Sequence, residues 1–429
     1  VNDIGQRWRT KLLATLLLSF AADSTFAAVA PAALDLRQLI ELARRDNKDL
    51  QAARYAVDIG RARLQQAGLR SNPRLGVSGR SDVLFGNDGE HGGSLTISQD
   101  FPIAGRLLRE KDVARVDIAL AEAEVAEAER RLAGEVATDV YRLLVVERRI
   151  AARADLANLE SQLLDTARQR FKAAEVSELD INSVQLDLAA TNQEQAALQG
   201  QHEQLLASLN ALIGRAGSAP LAVSEPLPES DPLPSLTQLQ QSALQRRADL
   251  QAALLTVDRA QAERALAHAS RWEDWTLGVE LAQDKQVIEG APPQGTNHSI
   301  GLSVAIPLPL YNKGQGRAAE TEASEAQAQA RVEALRLAIA NEVAAAHAEA
   351  TRLQSSLQQY QQKLLPVSAA SVKLAQQGYR HGLIPIFDVV QFQRQQAQLN
   401  ETYLATLDQF LQALVRLRTA AGDYGATNQ

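Results

Sequence analysis

The chain has 429 residues, a net charge of -7, 4% aromatic residues, no Cys and no Met. Without Cys there is no disulfide framework, thiolate nucleophile or zinc knuckle, and without Met there are no thioether metal ligands. The acidic balance excludes a general basic surface for nucleic acid. Ala, Leu, Gln, Glu and Arg dominate, a balance that points to long helices rather than compact mixed domains.

Residues 1–27 read as a secretory signal. Arg7, Arg9 and Lys11 form a basic region, Leu12 to Ala22 an apolar stretch, and Thr25-Phe26-Ala27 offers small residues at the cleavage positions. That apolar stretch is about half the ~20 residues a spanning helix needs. With no Cys near the cleavage site, no lipid anchor is expected there. The exported part holds no longer apolar helix, so any membrane crossing would fall to strands.

Residues 28–213 form a first structural repeat. Leu34 to Leu69 is helical, broken near Arg45-Asp46-Asn47 and ended by Asn72-Pro73. Across 72–102 the period changes to two. Leu75, Val77, Val83 and Phe85 fall on one face, with Arg74, Arg80 and Asp82 on the other. After a turn at Gly86 to Gly89, Leu95, Ile97 and Phe101 oppose Thr96, Ser98 and Asp100, which predicts a hairpin with one apolar and one polar face. From Gly105 to Phe171 the helical period returns, enough for a rod of about 100 Å. It carries two apolar stripes, Val136, Val140, Leu143, Val146, Ile150 and Ala133, Ala137, Tyr141, Leu144. Two stripes mean two neighbours, as in a wall or barrel of helices. The chain turns at Ala173 to Ser177 and returns to Ile213.

Residues 214–234, rich in Pro, Gly and Ser, form a linker, and a second repeat occupies 235–422 before a short tail at 423–429. Arg247-Ala248-Asp249-Leu250-Gln251-Ala252-Ala253 echoes Lys48-Asp49-Leu50-Gln51-Ala52-Ala53. A second hairpin spans 272–307. In it Trp275, Leu277, Val279 and Leu281 oppose Glu280 and Asp284, and Ile300, Leu302, Val304 and Ile306 oppose Ser303 and Ala305. A second rod runs from Gly316 to Gln377, with Pro366 marking a kink or break. The return helices carry matching seams of alternating three- and four-residue spacing, from Ile181 to Leu212 and from Val389 to Ala420. A pattern written twice is an internal duplication.

The four amphipathic strands suit tilted membrane strands, with Trp272, Trp275 and Phe101 at their ends. Four strands cannot close a barrel, and an open edge is not viable in lipid, so chains must share one: two chains give eight strands and three give twelve. A soluble sheet packed on a coiled coil is the alternative, and it leaves the apolar face of each hairpin uncovered.

Around the two helix turns the sequence resembles the TolC-like outer-membrane efflux factor family, over nearly the whole mature chain. The first turn has Phe171, Ser177, Leu179 and Asp180, with Ala174 where the family carries Gly; the second has Tyr379, Gly382 and Asp388. Phe101-Pro102-Ile103-Ala104-Gly105-Arg106 and Ile306-Pro307-Leu308-Pro309-Leu310-Tyr311-Asn312-Lys313-Gly314-Gln315-Gly316 are similar to the heavy-metal-cation (CzcC-like) branch. The resemblance implies a mainly α fold with β: a long coiled-coil tube and four transmembrane strands per chain, completed as a 12-stranded barrel in a homotrimer. It implies a passive exit duct, not an enzyme and with no cofactor, in the outer membrane with its tube in the periplasm. Its partners would be a periplasmic membrane-fusion adaptor and a proton-driven inner-membrane pump of the resistance-nodulation-division type. The turns, with Phe171, Ala174, Ser177, Leu179, Asp180, Tyr379, Gly382, Pro385 and Asp388, would form the adaptor-docking tip. Cargo other than metal would be drugs or secreted polypeptides, and a non-pore periplasmic coiled-coil scaffold is the reading from another class.

Each candidate also has a plainer reading. Ser177 with Asp180 has capping-box spacing and Pro385 suits a first helical position, so helix initiation alone explains them. Asp82, Asp100, Glu280 and Asp284 on the polar strand faces could make a lumen cation-attracting, although a pore wall need only be polar. Gly314-x-Gly316-x-x-Ala319 has a dinucleotide-like spacing, but its strand is amphipathic and no βαβ unit follows. Of the six histidines no two stand at ligand spacing, so no metal site is expected. His202 takes the seam position of Phe410 as a packing residue, whereas His91, His298 and His381 are read as solvated.

Overall fold

The computed structural model describes residues 33–83, 89–228, 232–288, 290–292 and 294–424. The signal-like segment 1–27, Phe85 with Gly86, Asn87 and Asp88 of the first hairpin turn, and the tail from 425 lie outside the described residues.

The duplication is visible element by element. Helices α1 (Leu36–Asp46) and α2 (Lys48–Gln66) lead into strands β1 (Arg74–Ser81) and β2 (His91–Phe101), then the rod α3 (Arg106–Lys172) and the return helix α4 (Glu178–Leu212). Helices α5 (Leu236–Arg246) and α6 (Ala248–Ala269), strands β3 (Trp275–Lys285) and β4 (Asn297–Ala305), helices α7 (Gln315–Gln359) and α8 (Leu365–Arg380), and the return helix α9 (Ile386–Ala420) repeat the order. The break between α1 and α2 falls at Asn47, whose side chain accepts from the Leu50 N–H and starts the next helix. Both rods open on a glycine in the left-handed region, Gly105 at φ 71° and Gly314 at φ 68°. There the chain leaves a strand and enters a helix in one step, a geometry a Cβ disfavours. Gly314 thus serves a turn, which accounts for the dinucleotide-like spacing.

The first rod is a single helix of 67 residues. The second is interrupted by a five-residue π turn, Tyr360–Leu364. The expected break at Pro366 therefore lies just ahead of the proline. Pro366 has no N–H to give and its ring crowds the carbonyl one turn back, so the preceding turn widens.

The helices form a wall. Toward the sheet the lateral order is α2, α3, α6, α7; toward the far end it is α4, α3, α9 and α7 continued by α8. Helices α1 and α5 pack across α3 and α7 at mid-height, and the linker closes on α1 through a bridge between Leu34 and Val223. The core sits at this level, with Val136, Val140, Leu143, Ala137 and Tyr141 of α3 buried against Leu39, Phe410, Leu411 and Leu357. Each buried large side chain there contributes about 1.5–3 kcal/mol. Both stripes are used as expected, with Ile150 and Leu144 only half-buried at their ends. His202 departs from its expected packing role: its Nε2 lies 3.1 Å from Glu147 Oε1 on α3, because the seam position is half-exposed and a carboxylate faces it.

The strands form one antiparallel sheet in the order β1-β2-β3-β4. Asp82 and Val83 fall past the end of β1. The ladder reaches Asp82 through its N–H to Glu90 O at 3.1 Å and stops there, so Val83 does not join the apolar face.

Candidate conduit wall and helix-turn tip

Register sorts the sheet into two chemically different faces. Val77, Leu95, Leu281 and Ile300 stand in one row, and Leu75, Ile97, Val279 and Leu302 in the next. All eight are exposed, Leu302 at 83%. No helix covers this face, and among the described residues no helix is long and apolar enough to cross a membrane. The rows between carry small or polar residues: Gly76, Thr96, Glu280 and Gly301, then Ser78, Ser94, Ala282 and Ser299. In the row beyond, Arg80, Gly92 and Asp284 align, and a Cβ on Gly92 would meet the Asp284 carboxylate at 2.8 Å, so a larger residue there would push the pair that spans it aside.

The structure brings three of the four acidic candidates, Asp100, Glu280 and Asp284, onto this polar face, and it also neutralises two of them. Arg74 bonds Asp100 at 2.8 Å, and Asp100 accepts from Thr276 Oγ1 at 2.7 Å. Arg80 bonds Asp284. Glu280 makes no hydrogen bond or ion pair among the described residues and projects between Thr96 and Gly301. Asp82 stands at the strand end, with one carboxylate oxygen enclosed and without a partner. Two of the four carboxylates thus stand in ion pairs, Asp100 with Arg74 and Asp284 with Arg80.

At the opposite end the rods turn back, and both turns are Schellman motifs. In the first, Glu175 N–H donates to Arg170 O and Ala174 N–H to Phe171 O, both at 2.9 Å. In the second, Leu383 N–H donates to Gly378 O at 2.8 Å and Gly382 N–H to Tyr379 O at 3.0 Å. The motif needs one left-handed residue, supplied by Gly382 at φ 74° and by Ala174 at φ 60°. Ala174 is the one non-glycine with positive φ among the described residues. Ser177 and Asp180 close the predicted capping box: Asp180 Oδ2 accepts from the Ser177 N–H at 2.9 Å, and Ser177 Oγ from the Asp180 N–H at 3.3 Å. Pro385 sits one place earlier than expected, at the N-cap with ψ 159°, and makes no side-chain cap. It has no N–H for Asp388 to accept, so the second box cannot form: the Asp388 N–H donates to Pro385 O at 3.2 Å, but its carboxylate makes no hydrogen bond or ion pair among the described residues.

Tyr379 is buried in a small core with Leu163, Leu164, Val184, Ile386 and Val389. The Arg170 guanidinium lies 4.2 Å over its ring and donates to the Tyr379 carbonyl at 3.0 Å, binding one turn to the other. Burial pushes the Tyr379 hydroxyl above its ordinary pKa, against the pull of Arg170. Phe171, Leu179, Leu383 and Phe387 are exposed around this core, Leu179 at 77%. The role of Arg170 rests on a contact with the other repeat that no local pattern contains. Leu383 and Phe387 carried a signal, since apolar residues flank the turn on both sides of Pro385.

The outer membrane efflux protein family model matches residues 39–215 and 239–423, one match to each repeat. No curated protein matches the chain. Among solved structures, the chain is similar to CusC, with a TM-score of 0.73, 20% identity and coverage of 90% of this chain and 92% of that one. It is also similar to VceC from Vibrio cholerae, with a TM-score of 0.71, 19% identity and coverage of 90% and 96%. The open-state MtrE channel of Neisseria gonorrhoeae gives a TM-score of 0.67, 17% identity and coverage of 90% and 88%. At these identities the structures speak to the fold, a helical tube joined to a β-barrel. The family match covers most of the chain, sets aside the non-pore periplasmic scaffold and the enzyme classes, and locates the protein at the outer membrane with its helical tube in the periplasm. The chain belongs to the outer membrane efflux protein family.

Proposed function

We propose that the protein is the trimeric outer-membrane duct of a tripartite efflux system and that its cargo is heavy-metal cations. The observation that carries the duct is the four-stranded sheet with two free edges, an exposed apolar face and a face of glycine, serine and paired charges. Three copies supply twelve strands, enough to enclose a wet lumen. The polar face, with Glu280 and the Arg74–Asp100 and Arg80–Asp284 pairs, then lines the lumen, and the apolar face meets lipid.

The tip made by Phe171, Ala174, Ser177, Leu179, Asp180, Tyr379, Gly382, Pro385 and Asp388 docks a periplasmic adaptor, which in turn reaches a proton-driven inner-membrane pump. Exposed Phe171, Leu179, Leu383 and Phe387 supply the apolar contacts. Asp388, unlike Asp180, is left out of a capping box and is available for a charged partner. The heavy-metal assignment rests on the strand-to-helix segments ending at Arg106 and Gly316. The charge balance of the lumen face favours a second reading, organic or polypeptide cargo, for which a cation-attracting wall is not needed.

Growth of a deletion strain across metal salts and organic toxicants tests the assignment. Sensitivity to a few metals supports it. Sensitivity to dyes, detergents or antibiotics with no metal phenotype overturns the cargo and leaves the duct. Release of the protein by osmotic shock, without outer-membrane association, overturns the duct itself.

A further inference from the structure

The two strand-to-helix connections differ in length. In the first repeat Phe101-Pro102-Ile103 is followed by Ala104 and then Gly105, the left-handed residue that starts α3. In the second, Ile306-Pro307-Leu308 is followed by Pro309, Leu310, Tyr311, Asn312 and Lys313 before Gly314 plays the same part for α7. The added residues are not absorbed by the chain's own core. Leu308 is 69% exposed, Leu310 68% and Tyr311 94%. The loop is nevertheless tightly shaped: Leu310 N–H donates to Leu308 O at 2.8 Å, and Gly314 N–H donates to Asn312 Oδ1 at 3.0 Å.

Its place in the sheet says what should cover it. The loop leaves the end of β4, one of the two free edges, and β1 is the other. In an up-and-down meander of four strands, β4 runs opposite to β1, so copies that close a barrel pair β4 of one with β1 of the next in the antiparallel sense. Arg74, the first residue of β1, stands in the same row as Ser303, two residues before β4 ends. The segment leading into β1 therefore lies at the same end of the sheet as the loop. That segment also exposes an apolar side chain, Leu69 at 57%. A turn at Gly68, with φ 71°, precedes it. Two exposed apolar junctions thus flank the same seam at the same height, one from each edge.

We infer that the Leu308–Lys313 loop is an inter-subunit clasp: its Leu310 and Tyr311 pack on the α2–β1 junction around Leu69 of the next copy of the same chain, sealing the seam where barrel passes into helical tube. The first repeat needs no such insertion, because the connection after β2 lies inside the sheet, next to β3 of its own chain. The inference rests on the trimeric duct reading, and its test separates the two.

The chain has no cysteine, so introduced thiols are unique. The double variant Tyr311→Cys with Leu69→Cys, in detergent-extracted full-length protein, is treated with a short bis-maleimide, and Tyr311→Cys with Leu364→Cys serves as the distant control. Mass by light scattering is measured in the same detergent. A trimer by mass whose Tyr311/Leu69 variant becomes covalently linked in most chains, with the control and both single variants unlinked, is the expected result. A second variant, Leu310→Ser with Tyr311→Ser, is expected to lose trimer on dilution into harsher detergent at least several-fold faster than the parent. A trimer by mass with no Tyr311/Leu69 linkage overturns the clasp and leaves the duct intact; labelling of Tyr311→Cys by an apolar maleimide dissolved in the detergent then makes the loop a lipid contact. Absence of a trimer by mass overturns both.

Discussion

The two helix turns at the far end of the tube share one backbone and differ in almost every side chain that holds it. Both are Schellman motifs with hydrogen bonds of 2.8–3.0 Å. The first takes its left-handed residue as Ala174 and compensates with a complete capping box, Ser177 with Asp180. The second uses Gly382, free of that strain, and a proline start with no side-chain cap. One turn is thus held by side-chain hydrogen bonds against a reluctant backbone, and the other by a backbone already shaped for it. After a duplication, the fold keeps the geometry and lets the chemistry that enforces it drift apart.

Replacing Arg170 should have the largest effect, because it removes the polar link between the turns. Arg170→Ala removes a charged hydrogen bond to the Tyr379 carbonyl and the contact with its ring. Local stability should fall by about 2–3 kcal/mol, read as faster amide exchange across Tyr379–Leu383 in hydrogen-exchange mass spectrometry. Exchange unchanged in the second turn would mean that the turns stand independently. Next come reciprocal substitutions. Gly382→Ala meets no atom within 4 Å of the new Cβ, so its cost is backbone strain alone, about 1–2 kcal/mol. Ala174→Gly should return a similar amount to the first turn. Equal and opposite shifts in amide protection would establish that the difference is conformational; a silent Ala174→Gly would show that the strain is relieved elsewhere.

A smaller change is expected from Ser177→Ala, about 1 kcal/mol from the lost cap, confined to the first turn of α4. The corresponding Pro385→Ala should leave α9 protected to within a few tenths, since no side-chain cap is lost. The smallest effect is one of pH. Above the first turn, Glu160 of α3 is only 6% exposed and one of its oxygens has no partner. Burial raises its pKa, the hydrogen bond from Thr191 opposes this, and the neighbouring Asp187 adds to it, while Arg153 and Arg394 pull the other way. A raised pKa means that the group's contribution is full below the ordinary carboxylate range and is lost as pH rises through the folded value. The register that aligns Asp180 with Asp388 puts Ser368 and Gln395 at the equivalent places in the second repeat, where no charge titrates. Glu160→Gln should therefore stabilise the α3–α4 coil at neutral pH and flatten its pH dependence, measured by amide exchange between pH 5 and 8, with the α8–α9 coil as internal reference; a slope unaltered by the substitution would assign the dependence to another group.

Periodicity made much of this legible. The first rod was placed to within one residue at each end, because long amphipathic patterns report their own length. The turns were legible from Asp180 and Asp388, and the strand faces from alternation. Information that depends on partners distant in the chain was not. The pairing of Arg80 with Asp284 follows from a register across three strands, and the Arg170–Tyr379 contact joins two repeats. Glu147 opposite His202 likewise needed the phase of two helices. Pro366 was visible, but not that the chain answers it with a wider turn just before it.

That wider turn has a consequence for how the second rod meets its neighbours. A π turn takes in one residue more than the α-helix around it, and each α-helical residue advances the side chains by about 100°. The rod thus changes its angular phase at Tyr360–Leu364. The stripe that faces α6 and α9 along α7 would wind off its partner if continued at a constant pitch; the extra residue resets it, so that α8 again presents an apolar line to α9. Phase correction by a single inserted residue lets one rod mesh with different partners above and below. Deleting a residue within Tyr360–Leu364 would turn α8 out of mesh with α9.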